Sequence, residues 1–147
     1  MIIIGSDHSG VELKNKIEEY LSSKNIQFLD ISKENKIDDD YPDIAKDICD
    51  KVLENKENFG IAICGTGIGI SIACNKIRGI RAANCVNSYM AELSRKHNDA
   101  NVICFGARLQ EINDFENVKN MIDVFLDTSF DGERHIRRIE KISKLED

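Results

Sequence analysis

The chain has 147 residues, 41% hydrophobic and 31% charged, with a formal net charge of −6. That suffices for one domain with a core of ordinary size, and no apolar run nears the roughly 18 residues of a membrane span. The acidic balance argues against broad nucleic-acid binding but permits an anionic small molecule held by a local arginine cluster. Met1–Gly5 is too short and too uncharged for a signal peptide and reads as a first strand, which makes cytoplasmic residence the default expectation. Strand and helix then alternate to the end. Ile2–Ile4 precedes a helix with Leu13, Ile17, Tyr20 and Leu21 on one face, and Ile26–Leu29 is a second strand. Ile44, Ile48, Val52 and their neighbours mark the next helix, and Ile61–Cys64 the third strand. Gly67–Lys76 opens a helix and Ile80–Val86 is a fourth strand; Asn87 or Ser88 caps a helix to about Lys96. Val102–Phe105 is the fifth strand, and Val118, Met121, Ile122 and Phe125 line a further helix. This alternation predicts an α/β/α sandwich around a five-stranded parallel sheet, with all 147 residues in one domain.

In such sheets ligands bind at the carboxyl ends of the strands. Polar residues follow three apolar runs there: Ser6-Asp7-His8, Cys64 to Gly69, and Gly106-Ala107-Arg108. A helix over 132–145, with Ile136, Ile139, Ile142 and Leu145 on one side and Arg134 and Arg138 on another, has no evident place in the five-strand unit. It is expected to pack on a partner subunit.

The segment Cys64-Gly65-Thr66-Gly67-Ile68-Gly69 is the most informative. An apolar strand delivers a thiol to a glycine-rich turn that opens a helix, where backbone N–H groups approach a phosphate or an oxyanion. Ile70-Ser71 replaces the Gly-Lys-Ser/Thr of a P-loop, the spacing is G-x-G-x-G rather than G-x-G-x-x-G, and Ile70 stands where a cysteine phosphatase has arginine. Five cysteines with no C-x-x-C argue against a disulfide framework or a zinc ribbon; Cys74, Cys85 and Cys104 read as buried apolar residues. Cys64 is either a buried strand-end thiol or a base or nucleophile, and Thr66 with the three glycines favours the second. Of the three histidines, His97 reads equally as a helix-terminal residue. The Asp7-His8 pair at the end of an inner strand is harder to dismiss. Arg137 reads as solvated, whereas Arg108, Arg134 and Arg138 have the chemistry to surround a phosphate.

Taken together, Gly5-Ser-Asp-His8, Asp40-Tyr-Pro42, Cys64–Ala73, Asn75-Lys76, Gly79, Arg81, His97-Asn-Asp99, Asn101, Phe105-Gly106, Arg108, Gly132, Arg134-His135 and Arg138 make the chain resemble the ribose-5-phosphate isomerase B family of sugar-phosphate isomerases. The resemblance spans nearly the whole chain in family order. It implies a Rossmann-like fold and an aldose–ketose isomerase without metal or cofactor, interconverting ribose 5-phosphate and ribulose 5-phosphate. It also implies that Cys64 is the base, that Thr66 moves a proton between the sugar oxygens, and that Gly65, Thr66, Gly67, Ile68 and Gly69 hold the oxyanion. His97, helped by Asp7, would open the sugar ring, Asn98 would bind the sugar, and His8, Arg108, Arg134 and Arg138 would hold the phosphate. Ile70 stands where some members carry a glutamate base, which places the chain with the cysteine type. Glu133 departs from a glycine found in many members. Sites built from two chains would make it a homodimer, or a tetramer formed by two such dimers. The alternatives are a six-carbon sugar phosphate such as allose 6-phosphate or galactose 6-phosphate as substrate, or a phosphosugar-binding module without turnover.

Overall fold

The computed structural model describes residues 1–146. Strands β1 (Ile2–Ser6), β2 (Phe28–Asp30), β3 (Phe59–Cys64), β4 (Ala82–Asn84) and β5 (Val102–Gly106) form one sheet in the order β2-β1-β3-β5-β4, every pair parallel. Because side chains alternate across a strand, each strand feeds both faces. Ile2, Ile4, Ile61, Ile63, Ile103 and Phe105 join α1 (Val11–Ser23), α4 (Ser88–Asn98), α5 (Gln110–Asn113) and α6 (Phe115–Asp127) in one core. Ile3, Ala62, Cys64, Val102 and Cys104 join α2 (Tyr41–Leu53) and α3 (Ile68–Cys74) in the other. The expected three-layer parallel fold is therefore the observed one. Among the described residues no helix is long and apolar enough to cross a membrane.

Element ends differ from the sequence expectation where side chains take over backbone groups. The fourth strand shortens to Ala82–Asn84 because Asn101 Oδ1 accepts the Arg81 N–H at 2.9 Å and Asn75 pairs with both the N–H and C=O of Ala82. The second begins at Phe28, after the left-handed residue Asn25 that closes α1. Helix α4 runs to Asn98, capped by Asn87 accepting from the Met90 N–H and ended by the left-handed Asp99. The C-terminal helix α7 is shorter than expected, Arg134–Ser143, followed by one 3-10 turn, since Gly132 and Glu133 both have positive φ. The four-residue α5 was not foreseen; it buries Ile112.

Two turns of the chain matter for placing a site. From β1 the chain crosses to β2 on one side, then returns to β3 on the other side of β1. The crevice at this reversal is where parallel sheets take ligands, and Asp7 and Cys64 leave the sheet there side by side, the Asp7 N–H donating to Ile63 O at 3.1 Å.

Beside that crevice lies a buried polar network. Lys14, 2% exposed, donates to Asp30, to the Ser32 carbonyl at 2.8 Å and to Asn35 Oδ1 at 3.0 Å. Asn35 in turn donates to the Ser6 carbonyl and to Asp39, which accepts the His8 N–H at 2.7 Å. A buried charge requires this degree of pairing to persist. Glu18 leans on the same cluster. Burial, then the hydrogen bond and negative charge of Asp30, push its carboxyl up to about 7. Burial also raises Asp30, but the Ser32 N–H and Lys14 outweigh it, so that carboxyl ends below its ordinary value. Glu18 thus holds its proton more tightly folded than unfolded, and its contribution to stability, full at low pH, is lost as pH rises from 4.5 toward about 7. Asp30 acts with opposite sign, below that window. The urea midpoint of the native chain should fall between about pH 5 and about pH 7.5 more steeply than that of Glu18→Gln. Parallel curves would rule out a folded-state proton on Glu18.

Candidate active site

Cys64 ends β3 opposite Gly106 of β5, and only 4% of it is exposed. Its Sγ accepts the Gly67 N–H at 3.2 Å, so the thiol lies under the glycine loop. Helix α3 is only two turns long, and the sulfur is faced by the loop's own amide groups more than by an extended dipole. Gly67 needs its left-handed φ of 75°, and a Cβ there would meet the Asn84 side chain at 2.3 Å. A Cβ on Gly106 would lie 2.4 Å from the Thr66 backbone, one on Gly69 2.7 Å from the Tyr41 ring, and one on Gly65 2.9 Å from the Arg108 guanidinium. The loop is wedged between β5, Asn84 and Tyr41, with Arg108 laid over it. The Thr66 hydroxyl accepts the Ile68 N–H at 3.3 Å, which leaves its own hydrogen free to donate; Thr66 and Ile68 are exposed.

Asp7 is buried and turned inward, its carboxylate capping the short 3-10 helix His8–Gly10 through the Ser9 N–H and hydroxyl. His8 is exposed, its Nδ1 3.2 Å from Asp39. Several residues in this half carried no role in the sequence reading: Tyr41 and Asn84, which shape the loop, and Asn35 and Asp39, which hold His8. Tyr41 stood in a family-like segment; nothing in the sequence marked the others. Behind Cys64, Cys74 stands between Cys49 and Cys104; thiol hydrogen bonding followed by burial pushes both of these up, and burial pushes Cys85 up to about 12. All five thiols are free, and the reading of Cys74, Cys85 and Cys104 as core residues holds.

The other half of the expected site lies at the opposite edge of the sheet. His97 and Asn98 end α4, just before β5 begins, whereas Cys64 is level with the end of β5. Four strand residues separate the two levels, about 13 Å at 3.3 Å per residue. Arg81 donates to the carbonyls of Asn98 and Asp99, and Arg95 to Asp99 and the Ala100 carbonyl, which fixes the end of α4. The His97 ring stacks on that of His135 at 4.3 Å between centroids. That contact brings α7, with exposed Arg134 and Arg138, to the same edge. Burial, then the positive fields of His97, Arg134 and Arg138, hold His135 below the usual histidine range. One chain therefore joins Cys64, Thr66, Gly65–Gly69, Asp7, His8 and Arg108 at one edge, and His97, Asn98, Arg134 and Arg138 at the other. The three arginines do not meet within a chain, nor do Asp7 and His97. A cleft of about 570 Å³, lined by Arg78, Arg81, Asn98, Ile142 and Leu145, lies at the second edge and holds none of the glycine loop.

Fold and site define a parallel α/β protein with a thiol-bearing amide loop at its topological switch point. Residues 2–142 match the family described as Ribose/Galactose Isomerase, and the chain belongs to that family. It is 45% identical to a probable ribose-5-phosphate isomerase B of Mycoplasma genitalium, over 99% of this chain and 95% of that one. A crystal structure of a ribose 5-phosphate isomerase from Thermotoga maritima superposes with a TM-score of 0.91 at 46% identity, covering 97% of each chain. The Mycoplasma genitalium enzyme with bound ribulose 5-phosphate superposes with a TM-score of 0.89 at 40% identity, covering 99% of this chain and 95% of that one.

Glu133 has φ 50° and ψ −125°, a conformation that suits glycine, and its side chain is exposed. A β-carbon there is strained, typically by about 1–3 kcal/mol. The substitution Glu133→Gly should raise stability by about 1 kcal/mol after its extra chain entropy is subtracted, read from urea denaturation. A loss of stability would show that the Glu133 side chain makes a contact worth more than the strain.

Proposed function

We propose that the chain is an aldose–ketose isomerase interconverting ribose 5-phosphate and ribulose 5-phosphate in sites shared between two copies. The observation that carries this reading is Cys64 at the β1/β3 switch point, its sulfur beneath the Gly67 N–H and the free Thr66 hydroxyl close by. Proton abstraction next to a carbonyl needs a base, a donor to the developing enediolate and exclusion of water. In this reading Cys64 removes the proton from C2 of the open-chain aldose and returns it to C1. Thr66 relays a proton between the two oxygens, and the amides of Gly65–Gly69 stabilise the negative charge. Arg108 and His8 bind phosphate from the Cys64 side.

Ring opening needs an acid–base group on the ring oxygen, and His97, to which the family resemblance gives that role, is a strand's length away in the same chain. The partner's His97, with Asn98, Arg134 and Arg138 from the same edge, supplies it when a second copy docks about a two-fold axis, which creates two such sites. The surfaces for docking are present. Ile68 and Ile72 on α3 are 57% and 56% exposed, Tyr89 on α4 is 68% exposed, and Ile136 and Ile142 lie uncovered on α7. Such apolar exposure suits a two-fold interface. Five free thiols suit a reducing cytoplasm.

A coupled assay with ribose 5-phosphate and allose 6-phosphate side by side, in EDTA, should show turnover of the pentose; preference for the hexose would move the assignment to a six-carbon substrate, and binding without turnover to a phosphosugar-binding module. Cys64→Ala and His97→Asn chains should each lose about 100-fold or more alone. Co-expressed, they should recover about a quarter of native activity, because half the dimers are mixed and each mixed dimer has one intact site of two. Mixed dimers that stay inactive would refute shared sites.

A further inference from the structure

We propose that His97, Asp131 and His135 form a binding site for a divalent cation of the zinc class, and that its occupation blocks isomerisation. One donor atom from each residue lies within 4.8 Å of the others. Zinc at 2.0–2.1 Å from tetrahedral ligands sets them roughly 3.4 Å apart, so binding requires the exposed Asp131 to rotate and the His97 ring to turn out of its stack on His135 until both ring nitrogens face the metal. The frame is already built. His97 sits at the α4 terminus gripped by Arg81 and Arg95, and His135 is buried at the start of α7. The Asp131 N–H donates to the Lys96 carbonyl at 3.0 Å, tying the loop to the residue before His97. The rings, stacked 12° from parallel, must open for the metal, and among the described residues no hydrogen bond to another side chain holds either ring against that turn.

Two imidazoles and one carboxylate leave a fourth position open, the donor set of a zinc site that admits water or another ligand. Arg134 and Arg138 oppose any cation by charge. They disfavour magnesium or calcium, which are held mainly by charge on oxygen, more than a metal that forms strong bonds to imidazole nitrogen. The inhibitory consequence rests on the ring-opening role proposed for His97, since a metal-bound nitrogen cannot exchange a proton with the sugar.

The test is calorimetric titration of the full, chelator-treated chain with zinc chloride, alongside turnover of ribose 5-phosphate. One zinc per chain is expected. His135→Gln and Asp131→Asn should weaken it roughly 10- to 100-fold or more, the loss typical of an outer-sphere partner being the floor for a direct ligand. Asp131→Asn should keep its metal-free turnover yet need correspondingly more zinc for half-inhibition, and EDTA should restore activity. Undiminished affinity in both variants, or affinity lost in Cys64→Ala instead, would overturn the site. Zinc held by the trio with turnover untouched would overturn the inhibitory half. Calorimetry needs no turnover, so a chain that binds zinc through these residues without isomerising ribose 5-phosphate would refute the isomerase reading alone.

Discussion

All five strands run in the same direction, and much of the molecule follows from that. A parallel sheet sends every strand exit to one edge and every strand entry to the other. Cys64, Asp7 and Arg108 follow strand exits, so they converge. His97 and Asn98 precede a strand entry, so the same geometry carries them away, and His135 stacking on His97 takes Arg134 and Arg138 with it. The thiol and the imidazole are separated by the register of β5, which no side-chain rotation can undo. A second copy related by a two-fold axis is the arrangement proposed above for bringing such halves together, and α3, α4 and α7 carry uncovered apolar residues.

The two edges are built differently. At the thiol edge, precision comes from close approach: Gly106 under Thr66, Gly69 against Tyr41, Gly67 against Asn84. Any β-carbon there would push the loop outward. The loop's amides are thereby preorganised, the condition under which hydrogen bonds to a developing oxyanion are most effective. The histidine edge is held instead by ionic and carbonyl contacts of Arg81 and Arg95, and by a ring stack to α7, whose following turn is tied back to the body where Glu146 accepts the Gly79 N–H. A strained residue, Glu133, sets the angle at which that helix leaves the body.

The polar network from Lys14 through Asn35 and Asp39 to His8 links this design to the core. Apolar residues would fill the same volume at less desolvation cost. The network's result is directional: it fixes the backbone and ring of His8, an exposed residue beside the thiol loop, from a buried anchor on α1.

Strand–helix alternation, the glycine loop and the buried cysteines were legible in the sequence because each is a local pattern: short continuous apolar runs, period-3.6 runs and turn residues speak for themselves. Candidate side chains were legible too, since Cys64, His97 and the arginines carry chemistry wherever they stand. Asn84, Tyr41, Asn35 and Asp39 were not, because their work is done across 15 or more residues of chain or across the sheet, through packing that local pattern does not encode. Nor did the sequence show that Arg108 stands apart from Arg134 and Arg138. The chain's own order thus determined which groups are available and that they hang on a parallel α/β frame. Tertiary structure alone decided which of them meet, because distance in a parallel sheet depends on which end of a strand a residue adjoins, and sequence proximity to a strand says nothing of the strand's length between the two ends.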